Sequence, residues 1–404
     1  MRILLTNNTL AWRSGSELYV RDLAIALKRR GHEPMAFSPQ LGDVADDLRD
    51  AAIPVTNDLR AIGEHPDVIH GQHHLETMAA IARFPGIPAV YVCHGFLPWQ
   101  EAPPRHPRIR RHVAVDDLVR ERLVLECGVA PEDVSVLYNF VDLSRFPPRE
   151  PLPDVPRRAL VFNGHATEEN FGLFAREACS ALGVELSING YASGRVVSDS
   201  GSLLRGYDIV FARARSALEA MATGCAVIVA DPQGVAGLVT PENLDSLRRR
   251  NFGASTLTTT LTTESLRLEI AKYDPSGAAQ VRDAVRRDAA IDPVVDAYEE
   301  IYADALSRPC GNDDAAERDA VVGYLQWLSV QTKVPGLYGW SELRKSHDAL
   351  ALAVDALRGK LDRAERGLTP RARDEGDAPA KPALEAASAE TVGGFLSRWL
   401  KSRR

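Results

Sequence analysis

The segment from Tyr207 to Gly253 constrains the fold of this chain more than any other. An apolar run at 209–211 is followed by an arginine-rich turn, the helix-forming sequence ALEAMATG and a second apolar run at 226–230. Two short apolar runs joined by one helix predict a β-α-β unit. In an open α/β sheet, ligands bind at the carboxyl ends of the strands. The segment therefore predicts both a fold class and the place of a binding site.

Three polar residues stand around the start of the predicted helix: Arg215, Ser216 and Glu219. The free N–H groups and the positive potential of a helix amino terminus suit a phosphate. Arg215 is the candidate cation, because a planar guanidinium can bind two phosphate oxygens at once. Ser216 can donate to the phosphate or serve only as an N-cap, and Glu219 can bind the ligand or serve only as a first-turn acid. The pattern predicts a ligand that carries phosphate.

The same alternation of apolar runs and helix-like segments extends along most of the chain. It begins with a strand at Arg2–Thr6 and a helix at Ser16–Arg30, and it continues to a short apolar run at 134–137. After the proline-rich stretch FPPREPLPDVP, the pattern restarts at 159–162. Strands that alternate with helices predict a parallel sheet covered on both faces. The chain is therefore expected to fold as two similar α/β domains joined by a linker at 146–157.

Charge and composition exclude several classes of function. The chain has 404 residues and a formal net charge of -7, whereas general nucleic-acid-binding proteins are usually basic. Its five cysteines lack metal-type spacing, which favours reduced thiols. The opening residues MRILLTNNT do not form the apolar core of a signal peptide, and no apolar run is long enough to span a bilayer. We therefore expect a cytoplasmic protein that does not bind nucleic acid.

Several motifs follow one another in a characteristic order. The first is SGSELYVRDLAIALKRRGHE at Ser14–Glu33, and it is followed by DVIHGQ at Asp67–Gln72 and VYVCHG at Val90–Gly95. ALEAMATGCAVIVAD and the helical sequence DPVVDAYEEIYADAL at Asp292–Leu306 complete the series. In this order and spacing, residues 1–306 resemble a GT-B glycosyltransferase of the retaining kind grouped as family 4. The last motif resembles the helix that crosses back onto the first domain of such enzymes.

The resemblance implies a fold and a division of the chain. The fold is α/β of the GT-B type, with two Rossmann-like domains that face a cleft and a helical C-terminal extension. The expected divisions are an acceptor-side N-terminal domain at 1–145, a linker at 146–157, a donor-side domain at 158–290, a cross-over helix at 291–309, a helical extension at 310–366 and a disordered segment with a basic amphipathic end at 367–404.

The resemblance also implies a reaction. The donor would be a nucleoside-diphosphate sugar, and the acceptor a glycan, a lipid-linked compound or another hydroxyl compound, as in polysaccharide biosynthesis. GT-B enzymes usually neutralise the leaving diphosphate with helix amino termini and basic side chains, so electrostatic stabilisation would be the main catalytic contribution. No Asp-x-Asp pair occurs in the chain, so neither a metal nor another cofactor is expected. Retention at the anomeric carbon follows from the resemblance alone.

Five residues match functional positions of the family. The resemblance gives catalytic roles to His94, beside the transferred sugar, and to Arg215, at the diphosphate. It gives donor binding to Gly15, Ser216 and Glu219, with Glu219 accepting hydrogen bonds from the ribose. A histidine there could accept a bond from a sugar hydroxyl or take up a proton, and a glycine lets the backbone approach a ligand. The structural alternatives are a plain strand-helix turn for Gly15 and a packed ring for His94.

One departure from the family pattern keeps other functions open. The family usually carries an Arg and a Lys just after the first strand of the second domain, whereas FNGHATEENFG at 162–172 contains neither. Arg195, Arg213 or Arg215 could replace that pair. Otherwise the chain would be a degenerate GT-B protein that acts as a binding or scaffold partner. A nucleotide-sugar epimerase of the same fold is the third alternative. In one subgroup the helix starts with Gly-Arg-Ser, and here Ala214 takes the place of the glycine.

Two further features lie outside these motifs. His70, His73 and His74 are close in sequence, but no cysteine or acidic partner completes a metal site, so we interpret them as loop residues. The chain ends in GGFLSRWLKSRR, where apolar residues could line one helical face among basic ones. Such a tail predicts a peripheral contact with the inner face of a membrane, a contact with a protein partner, or a frayed end.

Overall fold

Two β-sheets form the frame of the molecule. The structure is a computed structural model that describes residues 1–96, 99–164, 166–190, 199–308 and 314–333. One sheet comes from the chain before the proline-rich linker and the other from the chain after it. The α/β prediction is therefore confirmed for both halves.

The first sheet contains seven strands, and all of its neighbouring pairs are parallel. Its strands are β1 (Arg2–Thr6), β2 (Glu33–Phe37), β3 (Val55–Thr56), β4 (Val68–Gln72), β5 (Ala89–Cys93), β6 (Ile109–Ala114) and β7 (Val134–Val136). Its helices are α1 (Gly15–Arg29), α2 (Asp43–Asp50), α3 (His74–Arg83) and α4 (Asp117–Glu121). The strand order is β3-β2-β1-β4-β5-β6-β7. Because helices cover both faces, β4 and β5 are buried along their whole length.

The second sheet contains five strands in the order β12-β11-β10-β8-β9. They are β8 (Arg158–Phe162), β9 (Glu185–Asn189), β10 (Ile209–Ala212), β11 (Ala226–Asp231) and β12 (Gly234–Leu238). The helices of this half are α5 (Leu173–Ser180), α6 (Ser200–Leu204), α7 (Ala214–Thr223), α8 (Leu244–Arg248), α9 (Thr263–Ile270) and α10 (Pro275–Asp288). The predicted β-α-β unit is confirmed as β10, α7 and β11.

The edge strand β12 corrects the expectation of a purely parallel sheet. It pairs antiparallel with β11. Only Pro232 and Gln233 separate the two strands, and the backbone N–H of Gln233 donates to Oδ1 of Asp231 at 2.6 Å. A link this short can join only antiparallel strands, because a parallel pair needs a crossover of a dozen residues or more.

Helices α1 and α7 begin beside the carboxyl ends of β1 and β10. α1 buries Tyr19, Leu23 and Leu27 on the side that faces the first sheet, and Gly31 with φ +85° follows its end. α7 is buried over most of its length and ends at Gly224, where φ is +102°. A left-handed residue of this kind ends a helix at low cost only when it is glycine.

The helix α11 (Ile291–Ser307) returns the chain to the first sheet, as the resemblance predicted. Its residues Val295, Tyr298 and Tyr302 belong to the hydrophobic core of that sheet. The final described helix is α12 (Asp314–Lys333), whose Tyr324 packs against the same core. Among the described residues, no helix is long and apolar enough to cross a membrane. The rest of the predicted extension and the basic tail lie outside the described residues.

Candidate active site

A cavity of about 700 Å³ lies between the two sheets. All five residues that the sequence singled out contribute to its lining: Gly15, His94, Arg215, Ser216 and Glu219. The strand-helix junctions β1-α1 and β10-α7 therefore face one another across a single space. This is the position that parallel α/β sheets provide for ligands.

Arg215 stands in the first turn of α7 and is only 7% exposed. Its Nε donates to Oε1 of Glu219 at 2.8 Å, and its Nη2 donates to Oδ2 of Asp22. Burial disfavours the charge of this guanidinium, but the two carboxylates outweigh burial and raise its pKa. Its Nη1 has no hydrogen-bond partner among the described residues. Arg215 is therefore a fixed cation in the cavity wall, and the two N–H groups of its Nη1 are unpaired among the described residues.

Asp22 is the buried centre of an arginine cluster, and the sequence analysis did not identify it. Its side chain is completely buried in α1. Its Oδ1 accepts hydrogen bonds from Nε of Arg21 at 2.8 Å and from Nη1 of Arg145 at 3.2 Å, and its Oδ2 accepts from Arg215. The carboxylate therefore links α1 to α7 across the cleft. No local pattern distinguishes Asp22 from other polar residues of α1.

The structure excludes the two purely structural roles that were considered for Ser216 and Glu219. Arg213 holds the N-cap position, so Ser216 is not an N-cap. Glu219 lies in the second turn, so the first-turn interpretation of this acid is wrong. Burial raises the pKa of Glu219, and Arg215 opposes that rise only in part. Gly15 is the first residue of α1 rather than a turn residue, and a Cβ there would meet no atom within 4 Å.

His94 follows β5 and lines the cavity. Its backbone N–H donates to Oε2 of Glu101 at 2.8 Å, and its ring meets the edge of the Tyr19 ring at 4.8 Å. Its Nε2 lies 2.8 Å from Oε1 of Gln72. Burial lowers the pKa of His94 to about 4, with Glu101 opposing the effect and His73 and Arg215 adding to it. The ring is therefore neutral at pH 7.

The neighbouring histidines are not the loop residues that we expected. His70 lies within β4 and is completely buried, and His74 is the first residue of α3. Only His73 lies between these elements, with φ +61° and Nε2 3.3 Å from Oε1 of Glu101. Burial disfavours the charge of His73, but Glu101 outweighs it and raises the pKa. The sequence analysis placed His70 wrongly because β4 extends three residues beyond its apolar pair Val68 and Ile69. Among the described residues, no three histidine, cysteine or carboxylate side chains are grouped closely enough to hold a metal ion.

The loop after β8, where the family has its basic pair, brings Asn163 and Gly164 to the cavity. Of the suggested replacements, Arg213 lines the cavity with its Nε 2.8 Å from Oδ2 of Asp231, and Arg195 lies outside the described residues. Arg250, which was not predicted from the sequence, is exposed and also lines the cavity. The run of three arginines before Asn251 and Phe252 was the available signal.

Three residues at this end of the cavity have left-handed backbone. Ala214 has φ +48°, Asn251 has φ +56° and Phe252 has φ +48°. The backbone N–H of Ala214 donates to the carbonyl of Phe252 at 2.9 Å. Left-handed backbone is costly for residues with a Cβ and is concentrated at functional sites. The glycine of the related Gly-Arg-Ser pattern would fit the Ala214 position without this cost.

Comparisons with known proteins agree with this geometry. Residues 13–145 match the model of Glycosyltransferase Family 4. A glycosyltransferase from Rickettsia africae is 14% identical, with a TM-score of 0.53, 76% of this chain covered and 99% of the other. HepE from Anabaena, solved in complex with UDP and glucose, is 15% identical, with a TM-score of 0.52, 75% of this chain covered and 99% of the other. No curated protein matches the chain. These likenesses establish the GT-B fold.

Proposed function

We propose that this chain, a GT-B glycosyltransferase that resembles family 4, transfers a sugar from a nucleoside-diphosphate sugar to a hydroxyl acceptor. Transfer would proceed with retention and without a metal. The observation that carries the proposal is the Nη1 of Arg215, which has no partner among the described residues and belongs to a buried guanidinium in the cavity wall. A cation fixed in the cavity wall by two carboxylates can stabilise the negative charge of a diphosphate.

The charge that develops during transfer belongs to the leaving diphosphate. The bond between the anomeric carbon and the phosphate oxygen breaks, and its electron pair stays on that oxygen. The acceptor oxygen forms the new bond to the anomeric carbon, and its proton passes to the leaving phosphate. Arg215, the free N–H groups at the start of α7 and Arg250 would stabilise the diphosphate. This arrangement replaces the basic pair that the loop after β8 lacks.

The other site residues would position the donor. Glu219 would accept hydrogen bonds from the ribose with the oxygen that Arg215 does not use, because only Oε1 is bonded to the guanidinium. Ser216 would donate a hydrogen bond to the diphosphate. Because Gly15 has no side chain and open space beside it, the ligand could approach its backbone closely. His94 would contact the transferred sugar. HepE was solved with UDP and glucose, so uridine nucleotides are the first donors to test.

The test is a thermal-shift panel with UDP, GDP, ADP, TDP and CDP, with magnesium and with a chelator. A ligand that binds only the folded state raises the melting temperature. We expect one nucleotide to raise it equally in both conditions. A protein that melts cooperatively and responds to no nucleotide would favour the degenerate scaffold protein instead. Release of a modified free sugar from the donor without an acceptor would indicate the epimerase.

The arginines of the cavity wall provide a matched pair of variants. Arg250 lines the cavity, whereas its exposed neighbour Arg249 is paired with Asp245 at 2.8 Å and does not line it. Arg250→Ala should weaken binding of the preferred nucleotide by about 1.5–3 kcal/mol, the range for a hydrogen bond to a charged group. Arg249→Ala should leave the affinity unchanged. Equal affinities for both variants, measured by calorimetry, would remove Arg250 from the site. Arg215→Ala should weaken binding by a similar amount if circular dichroism shows that it folds.

We also propose that the basic tail holds the enzyme at the cytoplasmic face of a membrane, where lipid-linked acceptors are found. The sequence FLSRWLKSRR combines apolar residues with basic ones, a composition suited to an anionic surface. The full chain should sediment with vesicles that contain anionic lipid and remain in solution with neutral vesicles. Deletion of residues 391–404 should abolish sedimentation without changing nucleotide affinity. The proposal would be contradicted if the full chain did not sediment with anionic vesicles.

A further inference from the structure

A chain of hydrogen-bonding side chains runs from the cavity to the cross-over helix. His94 Nε2 lies 2.8 Å from Oε1 of Gln72, and the other amide atom, Nε2 of Gln72, lies 3.3 Å from Nε2 of His70. On the far side of the His70 ring, Nδ1 lies 2.7 Å from the hydroxyl of Tyr302 in α11. Gln72, His70 and Tyr302 are each 0% exposed. We define these four side chains as the histidine relay.

The regular spacing of side chains along β4 and α11 places three of the four relay residues. His70 and Gln72 are two residues apart in β4, so their side chains leave the strand on the same face. His94 follows β5, the strand that pairs with β4. α11 packs over this face and presents Tyr298 and Tyr302, which are four residues apart and stack at 5.6 Å. The relay therefore exists only because the helix after the second sheet returns to the first.

The charge states of the two rings restrict the protons in the relay. Burial lowers the pKa of His70 to about 3 and that of His94 to about 4, so both rings are neutral at pH 7. A neutral imidazole has one N–H donor and one acceptor nitrogen. The charged or titratable groups that face His94 are Glu101, His73, Arg215 and Tyr19, and those that face His70 are Tyr298 and Tyr302. Gln72 contacts both rings and so connects His94 to His70.

The atoms of Gln72 assign a direction to every bond of the relay. In the assigned orientation of the Gln72 amide, Oε1 faces His94; a carbonyl oxygen only accepts, so Nε2 of His94 carries the proton. Its amide nitrogen can only donate, so Nε2 of His70 accepts and Nδ1 of His70 carries the proton toward Tyr302. We propose that Gln72, His70 and Tyr302 are positioning residues that fix His94 as the Nε2–H tautomer and leave its Nδ1 as a hydrogen-bond acceptor at the cavity.

The identity of the group that faces His94 rests on the proposed function. An acceptor nitrogen at the cavity recognises an O–H group, so the group next to His94 would be a free hydroxyl of the transferred sugar or of the acceptor. The opposite tautomer would present an N–H group and would favour a carbonyl or carboxylate oxygen. The relay thus determines which substrate groups can lie against His94, although only His94 touches them.

The tautomers can be measured without any substrate, by nitrogen NMR of the full chain labelled with ¹⁵N-histidine at pH 7. The rings are assigned from the signals that disappear in His94→Gln and His70→Gln. We expect His94 to carry its proton on Nε2 and His70 on Nδ1. A reversed relay, in which Tyr302 donates to His70 and His94 carries its proton on Nδ1, would overturn the inference. Because no nucleotide is needed, failure of this test is distinct from failure of the proposed reaction.

A matched pair of tyrosines separates positioning from packing. Tyr298 and Tyr302 are both completely buried in α11, but the Tyr298 hydroxyl is bonded to that of Tyr19 rather than to the relay. In Tyr302→Phe, His70 loses its acceptor, so we expect both His70 and His94 to shift toward their other tautomers. In Tyr298→Phe, both rings should keep the wild-type ¹⁵N signature. The same spectrum for both variants would contradict a role for Tyr302. If Tyr302→Phe does not fold, the wild-type measurement still decides the inference.

Discussion

The two walls of the cavity are organised by different physical means. The first wall consists of α1, β4, β5 and the loops that follow them, and the second consists of α7 and residues 250–255. At the first wall, burial keeps His70 and His94 neutral and a buried amide connects them. At the second wall, Arg215 stays charged because carboxylates surround it, and the backbone of Ala214 is strained. In the proposed reaction, the first wall would recognise hydroxyl groups and the second would recognise phosphate.

The comparison shows that burial alone does not decide the charge of a polar side chain. His94 and Arg215 are both enclosed, yet one loses its charge and the other keeps it. Desolvation disfavours the charged form of both. Only Arg215 has two carboxylates within bonding distance, and they offset the loss of hydration.

Acidification should destabilise the first wall most. The pKa values of His70, His74, His94, His106 and His112 are lowered to about 3 or 4 by burial, and all five belong to the first half of the chain. Each ring binds its proton more readily in the unfolded state, so its stabilisation is complete above the ordinary pKa of 6.5 and is lost as the pH falls toward 4. Each ring should lower the free energy of unfolding by roughly 1.4 kcal/mol per pH unit over that range.

Urea denaturation between pH 7.5 and 5 measures this loss. The raised pKa of His73 has the opposite sign, but its stabilisation is already complete below pH 6.5, so it should not offset the loss between pH 6.5 and 5. Hydrogen exchange should show earlier opening of the first sheet than of the second as the pH is lowered. A free energy of unfolding that stays constant over this range would show that the rings are hydrated and charged in the folded state.

Substitution of Asp22→Asn should break the link between the two walls. Removing one member of a buried ion pair typically costs 3–5 kcal/mol, because the partner is left as an uncompensated charge. Here Arg215 keeps only Glu219, and Arg21 and Arg145 also lose a carboxylate. The measurement is the free energy of unfolding at pH 7.5.

Asp47→Asn is the matched control for Asp22→Asn. Asp47 also pairs with Arg21, at 3.1 Å, but its side chain is 26% exposed and it lies outside the link to α7. Asp47→Asn should lower the free energy of unfolding by less than Asp22→Asn does, since solvent screens an accessible ion pair. Equal losses in the two variants would show that the connection between the walls contributes nothing beyond an ordinary ion pair.

Substitution of Ala214→Gly should relieve strain in the second wall. The left-handed backbone at φ +48° is disfavoured for alanine and acceptable for glycine. We expect the free energy of unfolding to rise by about 1 kcal/mol. Ala217→Gly in the regular part of the same helix should lower it by about 1 kcal/mol, the ordinary cost of glycine in a helix. Destabilisation by both substitutions would mean that the Ala214 methyl group contributes more by packing than it costs in strain.

Local patterns predicted most of the secondary structure, with instructive errors at the boundaries. The apolar runs at β1, β10 and β11 and the helix α7 were recognisable because strand and helix periodicities depend on near neighbours. The antiparallel β12 was missed, although the two-residue link before it was visible in the sequence. The position of Ser216 was misjudged because α7 begins at Ala214, three residues earlier than an N-cap at Ser216 would place it.

The sequence by itself determined the α/β class, the β-α-β unit and a set of five residues that line one cavity. These features depend on short spacings and on a family pattern, both of which can be read along the chain. Only the tertiary structure decided the partners of those residues. Arg215 and Asp22 are separated by 193 positions, and His70 and Tyr302 by 232. Charges and tautomers in the cavity depend on such distant groups and on burial, because electrostatic energies change with the solvent that folding removes.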